Sequence, residues 1–232
     1  LNLKRIYNGL WNESLQKFSR NRFELDPVLN SETDDRYGVS LIVRPSKEVK
    51  RNISDVLDEI KTAAPHQYYY PGSDLHVTVL TLISCYSGFS LDQIDVSEYQ
   101  KIVQSSLSSI LPFEIEFRGL TASPSCLLIQ GFPKGDQLPV LRNTLREKIK
   151  SSRLEHSMDK LYERQTAHIT AVRFKEPLET PEKFIEKITL LRDTVFGSCV
   201  IEEAELVGND WYHKQEKVKL IAKLPFSKPK ES

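Results

Sequence analysis

The chain has no uninterrupted apolar run of the roughly 18 residues that a membrane-spanning helix needs, and a span of that kind is excluded. Its opening residues, LNLKRIYNGLWNE, hold no apolar core ahead of a small-residue cleavage site, so no secretory signal is read there. Cysteine is scarce: Cys85, Cys126 and Cys199 are odd in number and far apart, without a C-x-x-C pair to suggest zinc or a redox dithiol. Each sits in or beside an apolar strand-like stretch, where free cysteine behaves as a small hydrophobe, and a reducing, cytoplasmic setting is expected. An excess of either charge is also missing, because 32 Lys and Arg balance 32 Asp and Glu. Long-range attraction to a polyanion is then weak, which argues against tracking along long duplex nucleic acid and for a small phosphorylated ligand or an RNA end. No Gly-rich phosphate loop is present, and no three of the five histidines have metal-ligand spacing, so neither metal nor cofactor is expected.

The 232 residues are enough for one large domain or two small lobes that bury a core without a covalent staple. Leu3, Ile6, Tyr7, Leu10, Trp11, Leu15 and Phe18 recur at three and four, predicting an amphipathic helix of about five turns. A polar loop, Asn30 to Asp35, follows. From Tyr37 onward strands alternate with helices. Strands are predicted at 38–43, 76–83, 113–118, 126–132, 168–174, 199–207 and 218–224. Helices are predicted around Val49 to Ile60, Tyr99 to Ile110, Leu138 to Ile149 and from Pro181, a residue suited to a helix's first turn. These seven strands and five helices make an α+β or mixed chain. The order reads as two similar units, each a histidine-headed strand followed by a helix and two further strands.

Two histidines share one local setting, His76-Val77-Thr78-Val79 and His168-Ile169-Thr170-Ala171. Side chains at i and i+2 of a strand share a face, so each strand offers an imidazole beside a hydroxyl, backed by apolar residues. In-line displacement at phosphorus calls for that set. One group takes a proton from the attacking oxygen, another gives one to the leaving oxygen, and imidazole serves either role near neutral pH. Hydroxyl donors bond the non-bridging oxygens as their charge rises. A single H-x-T is a weak signal; two copies, each heading a strand one structural unit apart, are a much stronger one.

With these paired H-φ-[ST]-φ motifs, φ being apolar, the sequence resembles the two-histidine (2H) phosphoesterases, which include bacterial 2′-5′ RNA ligase-like proteins and cyclic nucleotide phosphodiesterases. The resemblance covers about residues 37–226. It implies a bilobal α+β fold of two pseudo-symmetric antiparallel sheets with outer helices, around a central cleft lined by both motifs. It implies metal-independent hydrolysis of a 2′,3′-cyclic or 2′-5′ phosphodiester on a nucleotide or RNA end. By resemblance His168 is the base that activates water and His76 the acid for the leaving oxygen. Residues 1–36 then form a helical extension and 227–232 a tail. Alternatives are RNA ligation, the reverse of similar chemistry, and a module that binds an RNA end or nucleotide without turning it over. A monomer is expected.

Other residues carry weaker signals. Tyr70, in Tyr68-Tyr69-Tyr70-Pro71 just before the first motif, is a candidate for stacking on a base, against a loop whose rings pack on a neighbouring helix. Arg164, four residues before His168, is a candidate for reaching a phosphate, against a solvated charge. Strict alternation turns Arg173 away from His168. The basic run from Arg146 to Lys160 reads as a solvated helix face. His66, His156 and His213 read as surface residues.

Overall fold

The first β-branched run, Tyr37–Val43 (β1), is buried along almost its whole length because it lies between two other strands. In the computed structural model, which describes residues 2–158 and 165–227, β1 pairs with Val77–Tyr86 (β3) on one side and Glu203–Asp210 (β8) on the other. Lys219–Pro225 (β9) completes this first sheet, in the order β3-β1-β8-β9. The second sheet contains Tyr68–Tyr69 (β2), Ile169–Arg173 (β6), Cys126–Pro133 (β5), Phe113–Ser123 (β4) and Val195–Ile201 (β7), in the order β2-β6-β5-β4-β7. Every neighbouring pair is antiparallel. Among the described residues five α-helices connect and cover the sheets: α1 (Leu3–Phe18), α2 (Lys47–Lys61), α3 (Val96–Leu107), α4 (Gln137–Ser151) and α5 (Pro181–Leu190). Side-chain caps fix three of the starts, Asn2 accepting from the Arg5 amide, Ser46 from the Val49 amide and Asp95 from the Ser97 amide. One contiguous cluster of buried apolar residues runs through both sheets. No helix among the described residues is long and apolar enough to cross a membrane.

The sheets are built alike, and the expected order of histidine strand, helix and two further strands is present twice, as β3-α3-β4-β5 and β6-α5-β7-β8. Apart from the short β2 inserted ahead of β3, each half runs strand, helix, histidine strand, helix, strand: β1-α2-β3-α3-β4 and β5-α4-β6-α5-β7, continuing into β8. In each half the opening strand pairs with the histidine strand, β1 with β3 and β5 with β6, and a later strand crosses to the opposite sheet, so that β8 lies on β1 and β4 lies on β5. By pairing, each half also takes in the strand and helix ahead of its histidine strand, and the halves exchange strands. This exchange also corrects the strand predicted over 199–207. That stretch is two strands in different sheets, divided at Glu202, and nine strands are present among the described residues where seven were expected. The sequence carries the reason: the apolar phase runs through Cys199 and Ile201, then slips to Ala204 and Leu206 across Glu202-Glu203. The ninth strand, β2, is a two-residue edge that sequence patterning placed in a loop.

Helix α1 is fastened to this frame along its length. It packs along β4, and Ser14 Oγ donates to the Ala122 carbonyl at 2.8 Å. At its C-terminal end Phe18 meets Phe23, Phe174 and Phe184 in a cluster of stacked and edge-on rings. Gly38 marks the tightest backbone approach within β1, since a Cβ there would lie 2.4 Å from the Ile83 carbonyl oxygen and 2.9 Å from the Cys85 nitrogen. Backbone cannot yield as a flexible side chain does. Gly38→Ala is expected to lower unfolding free energy by about 1–3 kcal/mol, with an unchanged denaturant slope, in a urea titration.

Candidate active site

His76 immediately precedes β3, and His168 immediately precedes β6. Val77, Val79, Ile169 and Ala171 are buried in the core, which turns His76, Thr78, His168 and Thr170 to the other side of their strands. All four line one cavity of about 700 Å³, walled by both sheets and by the helix residues Ile6 and Leu10. That volume lies within the range of small-ligand sites.

Both strands depart from strict alternation just after the threonine. Opposite β1, Thr78 faces Ile42 while Leu80 faces Leu41, leaving Val79 as an extra residue. Opposite β5, Thr170 faces Leu128 while Val172 faces Leu127, leaving Ala171 as the extra residue. Such a bulge reverses the side-chain phase beyond it. Thr81 and Arg173, each three residues past its threonine, therefore return to the cavity. For Arg173 this corrects the expectation that it points away from His168. The bulge that turns it inward leaves no mark in residue type.

Arg173 is held by a built set of partners. Its Nε donates to the Tyr70 hydroxyl at 2.9 Å, its Nη1 lies 3.8 Å from Asp26 Oδ2, and its guanidinium stands 5.4 Å from the centre of the Tyr212 ring. Tyr70 also lines the cavity, but its ring is only 4% exposed and packs edge-on against Tyr68. It holds Arg173 from within the core instead of presenting an open face at the mouth. Burial pushes the Tyr70 phenol up to about 12, so it meets the guanidinium as a neutral hydroxyl. Arg164, the other residue proposed to touch substrate, lies outside the described residues, as does Lys160.

The two imidazoles have different neighbours at Nδ1. His76 Nδ1 lies 2.7 Å from the Asp74 carbonyl oxygen, which only accepts, so this nitrogen carries a proton. His168 Nδ1 lies 2.7 Å from the Thr166 hydroxyl, which can donate or accept. His213 was read as a surface residue and is instead 9% exposed and a lining residue, its ring centre 4.1 Å from that of His76. Its backbone is left-handed, φ +56°, an uncommon conformation for a residue other than glycine. The turn that carries it is held by the Asp210 carbonyl, which accepts from the His213 amide, and by Asp210 Oδ1, which accepts from the Lys214 amide. His66 is exposed as expected, and His156 is partly buried.

One buried side chain joins the two histidine segments. Arg142, on α4, is 3% exposed. Its Nε donates to the Val79 carbonyl at 2.8 Å and its Nη2 to the Thr78 carbonyl at 3.1 Å. Nη1 reaches the Gln165 carbonyl at 3.1 Å, and Nη2 the Thr166 carbonyl at 2.8 Å. Arg146, one turn on and expected on a solvated face, is 8% exposed and bonds Asn143 Oδ1 at 3.2 Å. Ser40, Thr81, Ser84 and Ser157 add hydroxyls to the lining. Cys85 and Cys126 are lining residues too, and burial, with Asp210 nearby, pushes the Cys85 thiol up to about 12. That sulfur is a neutral thiol at neutral pH, unsuited to nucleophilic attack. Among the described residues no three His, Cys, Asp or Glu side chains are grouped as a metal ion requires.

No protein-family model matches the sequence, and no curated protein does. Solved structures do match. The Thermus thermophilus protein TT0787 superposes with a TM-score of 0.57 at 17% identity, over 82% of this chain and 97% of its own. E. coli LigT, crystallised with 3′-AMP, gives 0.57 at 12% identity, over 83% and 99%. A conserved protein of unknown function from Agrobacterium tumefaciens gives 0.55 at 15% identity, over 90% and 98%. The chain has the two-histidine phosphoesterase fold. In this fold the pairing of two like halves brings the heads of β3 and β6 to a common cavity, and Arg142 sets their spacing. Arg142→Met leaves the carbonyls of Thr78, Val79, Gln165 and Thr166 without these donors. It is expected to cost at least about 3 kcal/mol of stability, read by denaturant unfolding, with Arg142→Lys recovering only part of the loss.

Proposed function

We propose that the protein is a metal-independent phosphodiesterase that hydrolyses a 2′,3′-cyclic or 2′-5′ phosphodiester of a nucleotide or RNA end, with His76 and His168 as general acid and base. The observation that supports this most is the opening of both His-Thr pairs onto one cavity, with Arg173 beside them. In the proposed reaction His168 takes a proton from water, whose oxygen forms the new bond to phosphorus. The bond from phosphorus to a ribose oxygen breaks on the opposite side, and that oxygen receives a proton from His76. Because His76 Nδ1 is committed to the Asp74 carbonyl, the proton is handed over from Nε2. Thr78 and Thr170 donate to the non-bridging oxygens, and the Arg173 guanidinium offsets their growing charge. This set suits a phosphodiester, which carries a single negative charge, and hydroxyls elsewhere in the lining suit ribose. Crystals of E. coli LigT with 3′-AMP, ATP and NADP+ support a nucleotide as the ligand class.

Nucleoside 2′,3′-cyclic phosphates are the first substrates to test, with 2′-5′ oligonucleotides and RNA fragments beside them. Hydrolysis is expected to persist in a chelator and to show a bell-shaped pH profile, because one imidazole must be neutral and the other protonated. His76→Ala and His168→Ala should each lose about 10²–10⁴-fold in kcat; wild-type rates in either variant would end the two-imidazole mechanism. Arg173→Met is expected to lose about 10²-fold in kcat/KM, measured on the same substrate.

A further inference from the structure

Helix α1 contributes more than a wall. Tyr7, one turn before Trp11, is fully buried, and its hydroxyl reaches the place where the β5–β6 ladder stops. The last paired residues there are Ile129 and Ile169. Two residues further out, Gly131 and Ala167 approach so closely that a Cβ on Gly131 would lie 2.0 Å from the Ala167 carbonyl oxygen. The Tyr7 hydroxyl joins this junction. It donates to the Gly131 carbonyl at 3.0 Å and accepts from the amides of Gly131, at 3.3 Å, and Ala167, at 3.1 Å. One donor and two lone pairs are all that a phenol has, and all are used. Burial raises this phenol to about 12, so it keeps its proton and the donor bond.

Ala167 is the residue before His168. Arg142 fixes the carbonyls of Gln165 and Thr166 from the α4 side, and Tyr7 fixes the next amide from the α1 side. The Thr166 hydroxyl, carried on this same segment, is the partner of His168 Nδ1. We infer that Tyr7 is a positioning residue for His168, so that the N-terminal helix is a working part of the reaction site. The inference rests on the proposed role of His168, and its structural half can be read without turnover.

Tyr7→Phe keeps the ring and removes only the hydroxyl. With a nucleoside 2′,3′-cyclic phosphate, kcat is expected to fall about 10–100-fold, the scale of a small misplacement of a reacting group, while KM stays within about threefold. Nitrogen-15 spectra of the imidazoles should show His168 shifted or broadened and His76 unchanged. Ser14→Ala is the control, since it removes the bond from α1 to the Ala122 carbonyl without touching Ala167, and it should leave kcat and both imidazole spectra as they are. A wild-type kcat in folded Tyr7→Phe, an equal loss in Ser14→Ala, or equal disturbance of both imidazoles would overturn the inference. If Tyr7→Phe does not fold, hydrogen exchange in the unaltered protein decides: the Ala167 amide should be protected, and rapid exchange would refute the bond. Absence of hydrolysis on every nucleotide, with the His168 spectrum still responding to Tyr7→Phe, would count against the phosphodiesterase reading alone.

Discussion

A single buried guanidinium governs the spacing of the two halves. Arg142 occupies a core position of α4, between Leu141 and Leu145, where a charge has a desolvation cost that only close partners offset. Backbone carbonyls from two distant segments are among those partners, and they are the segments that end in the two H-x-T strands. The planar, fixed fork of arginine suits such a bridge, because its donors hold directions that a lysine ammonium would not. The same contact serves the sheet. β3 is an edge strand, and along its outer side Thr78 and Val79 are answered by Arg142, while the Leu82 carbonyl accepts from the Ser157 amide and the Ser84 amide donates to Ser157 Oγ. An edge that would otherwise invite another strand is closed by the chain that leads to His168.

Upon this frame the halves are matched in backbone and different in charge. Each histidine strand carries its extra residue at the same place, one past the threonine, and in each the residue three past the threonine turns into the cavity. In the first half that residue is Thr81, and in the second it is Arg173. The fold thus sets out two equivalent positions, and the sequence places an uncharged hydroxyl at one and a cation at the other. In the proposed reaction the symmetric pair of threonines brackets the phosphate evenly, while a cation on one side only makes the two ends of the cleft unlike. A substrate with two different groups on phosphorus has a preferred way round in such a cleft, which a wholly symmetric site would lack.

Much of this was legible in the residues, for reasons that differ by element. Helices α1 to α5 announced themselves by apolar spacing, and the H-x-T strands by their repeated pattern, because periodicity is a local property. The β-bulges were not legible, since Val79 and Ala171 are ordinary strand residues, and without the bulge Arg173 is assigned to the wrong face. The division at Glu202 was visible in principle as a slip in apolar phase, but no Gly or Pro in 199–207 marks a break. His213 gave no local sign. Its place against His76 depends on a left-handed turn that only the course of β8 and the bonds to Asp210 explain. Arg142 did leave a trace: it continues the apolar stripe Leu138, Leu141, Leu145 at the position where a hydrophobe belongs. A charge in a core register is a question about its partners, and here the answer lay more than sixty residues away in one direction and more than twenty in the other.

The inner environment of the two imidazoles bears on how their roles divide. A carbonyl cannot donate, so His76 keeps its Nδ1 proton whether the ring is neutral or charged, and its chemistry is confined to Nε2. The neighbouring ring of His213 lies against it at 4.1 Å and restrains its plane. The neutral tautomer of His76 is therefore set by the fold. The Thr166 hydroxyl imposes no such choice, because it accepts when His168 Nδ1 carries a proton and donates when it does not. The backbone that leads into His168 is pinned through Gln165, Thr166 and Ala167 by side chains from two different helices. The two imidazoles are thus held by different kinds of neighbour. That difference follows from topology: a turn sets the His213 ring, tilted by 34°, beside the ring at the head of β3, whereas side chains of α4 and α1 both bond the chain before β6.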